Sequence, residues 1–325
     1  MILPTLSVIV PCYNEEEVLP DTVKTFSSLL SRLISEGIVS PESYLCFVDD
    51  GSQDGTWNLI ETYQKSSPFL RGIKLSRNFG HQNALLAGLF SIHADCAITI
   101  DADLQDDVNV IEEMIDRFAQ GDEIVYGVRK KRETDSFFKR FTAESFYRLM
   151  RLFGCNFVYN HADFRLMSKR AIHALKDFSE INLFLRGMVP LLGFRSSAVY
   201  FDRIKRIKGS SKYPLRKMIH FAIEGITSFS IVPLKMITFF GFLVFLSSLG
   251  VGMWALISKL QGKTVQGWLS MFTMMSFMGG IQILSLGIIG EYIGKIYSEI
   301  KRRPRFIVEK NIGFSSTSLM EMLKR

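Results

Sequence analysis

The N-terminal part of the chain alternates short apolar runs with longer stretches whose apolar residues recur at helical spacing. The runs are Leu6–Pro11, Tyr44–Val48, Gly72–Leu75, Cys96–Ile100 and Glu123–Val128, and helical patterns such as Thr56–Gln64 and Asp107–Gln120 lie between them. Near-continuous apolar strands are buried on both faces, and their alternation with helices predicts an α/β unit with a mostly parallel sheet. Ligands of such sheets bind beyond the carboxyl ends of the strands. Residues 11–15, 49–55 and 101–106 fall there, all polar and loop-like. One composite site is expected.

Later in the chain the pattern changes. No charged residue occurs between Lys235 and Lys259, and none between Lys263 and Glu291. Each stretch exceeds the roughly 20 apolar residues that span a bilayer, so two membrane helices are predicted, about 236–258 and 266–290. The expected organisation is a globular domain over 1–213, a juxtamembrane amphipathic helix over 214–233, the two spans within 234–290, and a basic tail over 291–325. Arg203, Lys205, Arg206, Lys208 and Lys212 precede the spans, and Lys295, Lys301, Arg302, Arg303 and Arg305 follow. The positive-inside bias puts both flanks in the cytoplasm and the short loop outside. Met1–Pro11 reads as a buried strand without a basic start or cleavage site, so the domain is expected to stay cytosolic on a multi-pass membrane protein, at the inner membrane if bacterial.

Composition agrees with this division. The chain has 325 residues, 47% of them hydrophobic, and its mean hydropathy is +0.17. A net charge of +7 could suit nucleic acid. The basic residues instead crowd beside the spans, where anionic headgroups attract them, which makes the membrane the expected partner. Phe137–Phe153 mixes aromatic and basic residues and could lie in the headgroup plane or pack as an ordinary helix. Gly287, Gly290 and Gly294 place small residues near one face of the second span, able to pack the hairpin on itself or to join protomers in a homo-oligomer. Four cysteines without CxxC spacing fit reduced core thiols. Nucleotide fingerprints of other α/β proteins are missing: no GxGxxG follows the first run, and Gly262-Lys263-Thr264 has Ile257 where a phosphate loop needs glycine.

The strongest chemical signal is Asp101-Ala102-Asp103-Leu104-Gln105, directly after Ile100. Two carboxylates at i and i+2 leaving a strand can converge on one hard cation that also holds a diphosphate. Acidic turns also serve as plain helix caps, a role open to Asp106 or Asp107. Val10-Pro11-Cys12-Tyr13-Asn14-Glu15 ends the first run and Val48-Asp49-Asp50-Gly51-Ser52-Gln53-Asp54-Gly55-Thr56 the second, each with turn chemistry that precedes a helix.

Together the three segments resemble the nucleotide-sugar half of family 2 glycosyltransferases of the GT-A fold. Arg77-Asn78-Phe79-Gly80, His161-Ala162-Asp163-Phe164-Arg165-Leu166 and Arg206-Ile207-Lys208-Gly209-Ser210-Ser211-Lys212 resemble the branch that makes polyprenyl-phosphate sugars, including dolichol-phosphate mannose synthases and bactoprenol glucosyltransferases. The likeness runs over nearly the whole chain.

The resemblance implies a Rossmann-like GT-A domain followed by a two-helix transmembrane hairpin. It implies that Pro11, Tyr13, Glu15, Val48 and Asp50 surround the base and ribose of a nucleotide sugar. Asp101, Ala102, Asp103 and Gln105 would hold the diphosphate, with Asp101, Asp103 and Gln105 on a divalent cation, Mg²⁺ or Mn²⁺. Arg129, Arg206 and Lys212 look like the cations that receive phosphates, and the same basic surface could also rest on anionic lipid. Asp163 and Arg206 are the implied catalytic pair, with Asp163 offered as base. A phosphomonoester has its second pKa near about 6, so the acceptor oxygen is already mostly anionic at neutral pH. Asp163 can therefore equally orient the acceptor or Arg165, or act as a structural turn residue.

The implied reaction moves one hexose, from UDP-glucose by resemblance alone, to undecaprenyl or dolichyl phosphate with inversion. A processive polysaccharide synthase would carry a Gln-x-x-Arg-Trp element, which does not occur here. A non-catalytic nucleotide-sugar-binding subunit would have no need of the acidic set beside Arg129 and Arg206.

Overall fold

The computed structural model describes residues 3–129, 161–178, 180, 185–202, 230–261 and 267–314. They belong to two compact units. One comprises Met1–Tyr147, Asn156–Tyr213 and Arg303–Arg325, and the other Arg148–Cys155 and Pro214–Arg302.

The first unit is built on strands β1 (Leu6–Cys12), β2 (Tyr44–Asp49), β3 (Leu70–Leu75), β4 (Cys96–Thr99), β5 (Ile124–Arg129), β6 (His161–Ser168), β7 (Ser196–Phe201) and β8 (Val308–Ile312). Their order across the sheet is β7-β5-β6-β4-β1-β2-β3-β8. The β4-β1-β2-β3 core is parallel throughout, and β5 with β7 is parallel as well. Antiparallel β6 is inserted between β4 and β5, and antiparallel β8 closes the outer edge of β3. Every residue of β1 and β2 is buried, as apolar runs covered on both faces require.

Helices α1 (Leu19–Ser35), α2 (Thr56–Ser66), α3 (His81–Ser91) and α4 (Val110–Ala119) follow the first four strands in turn. In α1, Leu19, Val23, Phe26, Leu30 and Leu33 recur at intervals of three and four, and that face enters the core. Each such side chain contributes about 1.5–3 kcal/mol on burial. Helix α3 approaches the sheet so closely that a Cβ on Gly88 would fall 2.4 Å from Ile9 Cγ2. Two short helices, α5 (Lys169–Lys176) and α6 (Leu185–Leu191), lie between β6 and β7 in the chain. Cys12, Cys46 and Cys96 are buried free thiols, and burial pushes Cys46 up to about 12.

The second unit contains α7 (Val232–Leu260) and α8 (Trp268–Ile300). The Tyr292 hydroxyl donates to the Ser230 carbonyl, so the end of α8 lies beside the start of α7, as in a hairpin. Val232–Val251 and Phe277–Ile300 are long and apolar enough to cross a membrane, with mean hydropathies of 1.9 and 1.3. Phe239, Phe242, Phe245, Ile283 and Leu284 are all more than half exposed. An apolar surface of that extent needs a cover other than water. Among the described residues nothing lies within 4 Å of a Cβ built on Gly287, Gly290 or Gly294.

The described elements differ from the expected bounds in three places. The second helix starts at Trp268 and runs to Ile300, ten residues beyond the expected end of the span at 290. The segment after it is more than a basic tail, because Val308–Ile312 joins the sheet as β8. Its charged residues are spent laterally, Glu309 on Lys74 at 3.3 Å and Lys310 on Glu61. Val232 and Pro233 of the expected juxtamembrane segment already belong to α7, and 214–229 lies outside the described residues.

Candidate active site

The loops at the carboxyl ends of β1, β2 and β3 are tied to one another by side-chain bonds to backbone. Pro11 and Val48 are register partners at the last turns of their strands. Beyond them Asn14 takes φ 54, a left-handed conformation that asparagine tolerates. Its Oδ1 accepts from Gln53 N and its N–H donates to Ser52 Oγ. The Glu15 N–H donates to Thr56 Oγ1 at 2.9 Å. Tyr13 is exposed at 42%, leaving a ring face open above the strand ends.

Asp50 is buried, and its two oxygens accept from Phe79 N at 2.7 Å and Gly80 N at 2.9 Å. Burial, with the Asp49 charge beside it, still raises its pKa against those two donors. Asp50 thus holds the Arg77–Gly80 loop in place, in addition to any ligand contact. Gly51, at φ +68, lets that loop close in: a Cβ there would meet Arg77 C at 2.3 Å and Asn78 N at 2.6 Å.

The Asp101–Gln105 loop is anchored from below. The Ala102 methyl is buried in the core, and its carbonyl accepts from Thr22 Oγ1 of α1 at 2.7 Å. Leu104 takes φ 52, a costly conformation for a branched side chain, and turns the chain sharply. The Gln105 N–H donates to Asp103 Oδ1 at 3.2 Å, and the Gln105 side chain is buried. Asp101 keeps 38% of its side chain open. Partial burial raises its pKa, as do the charges of Asp163, Asp106 and Asp103, while His81 opposes them.

Crowded carboxylates at a strand end fit a divalent cation, whose charge would reverse that shift. Among the described residues no group of three metal-ligating side chains is assembled, so two carboxylates would share the ion with donor oxygens, a common arrangement for Mg²⁺. Arg129, expected to receive phosphate, has its guanidinium on buried Asp106, with Nη2 at 3.0 Å and Nε at 3.3 Å from Oδ1. Asp106 is therefore an ion-pair partner rather than a helix cap.

Asp163 on β6 is brought to the same place by pairing of β4 with β6, in which Thr99 faces Arg165. Its Oδ1 accepts from Arg165 Nη2 at 2.9 Å and Arg186 Nε at 3.3 Å, and its Oδ2 from Arg186 Nη2 at 3.1 Å. His81 Nε2 stands 3.6 Å from Asp163 Oδ2 and 3.5 Å from Asp101 Oδ1. Burial would raise the Asp163 pKa, but Arg186, His81 and Arg165 together hold it well below the usual carboxylate range. Burial likewise works to lower the His81 pKa, and the hydrogen bond to Asp163 with the charges of Asp101 and Asp163 carries it upward. A carboxylate so engaged is a weak base and a strong anchor. This arrangement supports the orienting role for Asp163, with Arg165 as one residue that it orients.

Two members of this corner escaped sequence reasoning. His81 immediately follows the Arg77–Gly80 motif and opens α3, and Arg186 is the lone charge in the apolar stretch Leu183–Leu192. A single arginine in such a run is the signal that could have found it. Arg206, Lys212 and the Phe137–Phe153 stretch lie outside the described residues.

A mostly parallel sheet with an acidic loop beyond its central strands is the arrangement of a GT-A-type glycosyltransferase domain. The comparisons agree. The chain belongs to glycosyl transferase family 2, whose model matches residues 7–176, and it is a glycosyltransferase. A second model, the GtrB C-terminal hairpin, matches residues 232–296, which carry α7 and most of α8. The chain is 50% identical over 308 residues to the uncharacterized glycosyltransferase YkoT of Bacillus subtilis, covering 94% of this chain and 91% of that one. It is 38% identical over 311 residues to the SfII prophage-derived bactoprenol glucosyl transferase of Shigella flexneri, covering 94% and 98%. Among solved structures, glucosyl-3-phosphoglycerate synthase of Mycobacterium tuberculosis, with Mn²⁺, UDP and phosphoglyceric acid, is similar at TM-score 0.44 and 17% identity over 69% of this chain and 76% of that one. Nothing further is drawn from so distant a likeness.

Proposed function

We propose that the protein transfers a single hexose from a nucleotide sugar, UDP-glucose first among the donors, to a polyprenyl phosphate at the cytoplasmic face of a membrane. One observation carries this reading: a family 2 donor site with its acidic loop at the end of β4 is fused to a two-helix apolar hairpin. Relatives alike over almost their whole length include bactoprenol glucosyl transferases.

In this reading Pro11, Tyr13, Glu15, Val48 and Asp50 surround the nucleoside. Asp101 and Asp103, with Gln105, would hold a divalent cation, Mg²⁺ or Mn²⁺, whose charge would offset that of the departing diphosphate. The acceptor phosphate oxygen attacks the anomeric carbon, the bond from that carbon to the nucleotide diphosphate breaks, and the configuration inverts. An acceptor already ionised leaves little for a base to do, which suits an Asp163 committed to two arginines. Catalysis then rests on placement and on charge stabilisation. Arg206 and Lys212, from the basic segment before the hairpin, complete the phosphate-binding set.

Sidedness follows from chain connectivity. The hairpin departs from the globular unit and the chain returns to it at β8, so an even number of crossings is required and the short loop lies on the opposite side. The basic flanks favour a cytoplasmic globular unit.

The test is a panel of UDP- and GDP-sugars offered with polyprenyl phosphate to the purified protein, with and without a chelator. Transfer of one sugar from one preferred donor, abolished by chelation and restored by Mg²⁺ or Mn²⁺, is expected. Transfer that survives chelation would remove the cation from the account, and water-soluble polymer as product would favour a processive synthase.

A further inference from the structure

The Asp163 corner holds more positive charge than Asp163 needs. Arg165 alone would balance it, at 2.9 Å and with only 2% of its side chain exposed. Arg186 nevertheless adds two further bonds, and His81 approaches the same carboxylate while also reaching Asp101. These two differ from Arg165 in being open, Arg186 at 35% and His81 at 43% of the side chain. The donors that can meet a ligand are thus the two beyond Arg165.

The reaction explains why they stand there. An attacking oxygen has to come within about 3–3.5 Å of the anomeric carbon, and hence beside the donor diphosphate and the Asp101 loop. A phosphomonoester brings a charge of about −1.5 to −2 to that place. Asp101 and Asp103 lie in that loop, so an unassisted acceptor would be repelled. Arg129 is paired with Asp106 at 3.0 Å. His81, one imidazole in reach of both Asp101 and Asp163, marks the junction of donor and acceptor.

We propose that His81 and Arg186 together receive the phosphate group of the acceptor, and that Asp163 is the positioning residue that aims them. The arginine fork takes phosphate oxygens while its other edge stays on Asp163. This inference rests on the proposed transfer to a lipid phosphate and adds the residues that recognise it.

Kinetics of the full-length protein in detergent, with polyprenyl phosphate and nucleotide sugar varied separately, test it. Arg186→Gln and His81→Gln should each raise the acceptor KM about tenfold or more, while the donor KM and the affinity for UDP with Mn²⁺ stay within about twofold. Asp163→Asn should raise the acceptor KM and lower kcat together, because the aim is lost. Arg186→Lys preserves charge and packing if the glutamine variant misfolds, and should show the same acceptor-only pattern at smaller size. Inorganic phosphate should compete with acceptor in the wild type and lose that competition in Arg186→Gln. A donor KM that rises as far as the acceptor KM, or an acceptor KM that does not move, overturns the assignment. Wild-type protein that transfers to no polyprenyl phosphate overturns the proposed function itself, a result separate from either variant pattern.

Discussion

Adding one methyl group at Gly51 should separate the two loops that meet beyond β2 and β3, where the nucleoside is proposed to bind. Its φ of +68 costs an alanine about 1–2 kcal/mol. The built Cβ also lands 2.3 Å from Arg77 C, 2.6 Å from Arg77 Cα and 2.6 Å from Asn78 N. These are backbone atoms and have no rotamer by which to yield, so overpacking adds about 1–3 kcal/mol. Gly37 supplies the control: it has the same φ of +68, and nothing lies within 4 Å of its Cβ. Gly37→Ala should therefore show the conformational cost alone, and Gly51→Ala should exceed it by about 1–3 kcal/mol. At roughly 2–4 °C per kcal/mol for a unit of this size, thermal melts in detergent resolve the difference. The wedge also pulls Phe79 and Gly80 from Asp50, so the donor KM should rise in Gly51→Ala and stay level in Gly37→Ala. Equal losses of stability, with the donor KM unchanged in both, would refute the interlocked loops.

Three further outcomes are expected. Asp103→Asn removes a carboxylate from a half-buried strand-end loop while keeping its size, so turnover should collapse while the melting temperature stays near wild type; full activity that ignores chelation would contradict the cation site. Replacing Glu309 and Lys310 by proline should detach β8 from β3, exposing Ile312 and the Gly72 face, and accelerate proteolysis of the C-terminal segment; unaltered cleavage kinetics would speak against the strand. Asp163 has a folded pKa below its unfolded value of about 3.9, so its contribution to stability is complete above that value and is lost as pH falls through the folded one. The acid limb of the melting curve should accordingly flatten in Asp163→Asn, and an identical limb in both proteins would deny the ion pairs.

The central strands were legible because burial on both faces writes them as unbroken apolar runs: β1 and β2 match their expected spans to within one residue at the carboxyl end. The two apolar helices were legible for the same reason, since lipid asks for length without charge. Strand β8 was not, because Val308–Ile312 is an edge strand whose Glu309 and Lys310 face outward, and in sequence it merges with the basic residues before it. Strand β6 was noticed as a motif and not as a strand, since Arg165 interrupts its apolar pattern and is nonetheless buried. The strand-end loops could be read locally, because such turns carry their own chemistry. His81 could not, and Arg186 offered only its lone charge in an apolar run, because what brings them to Asp163 is the insertion of β6 beside β4, a relation between segments far apart in the chain.

The most direct test of the account is the product made from labelled nucleotide sugar and polyprenyl phosphate by the purified, full-length protein. Mass spectrometry of the lipid extract should show the acceptor increased by one hexose, and the anomeric configuration should be opposite to that of the donor. A lipid carrying many sugars, a retained configuration, or label found only as free sugar in the aqueous phase would contradict transfer of a single hexose to a lipid phosphate.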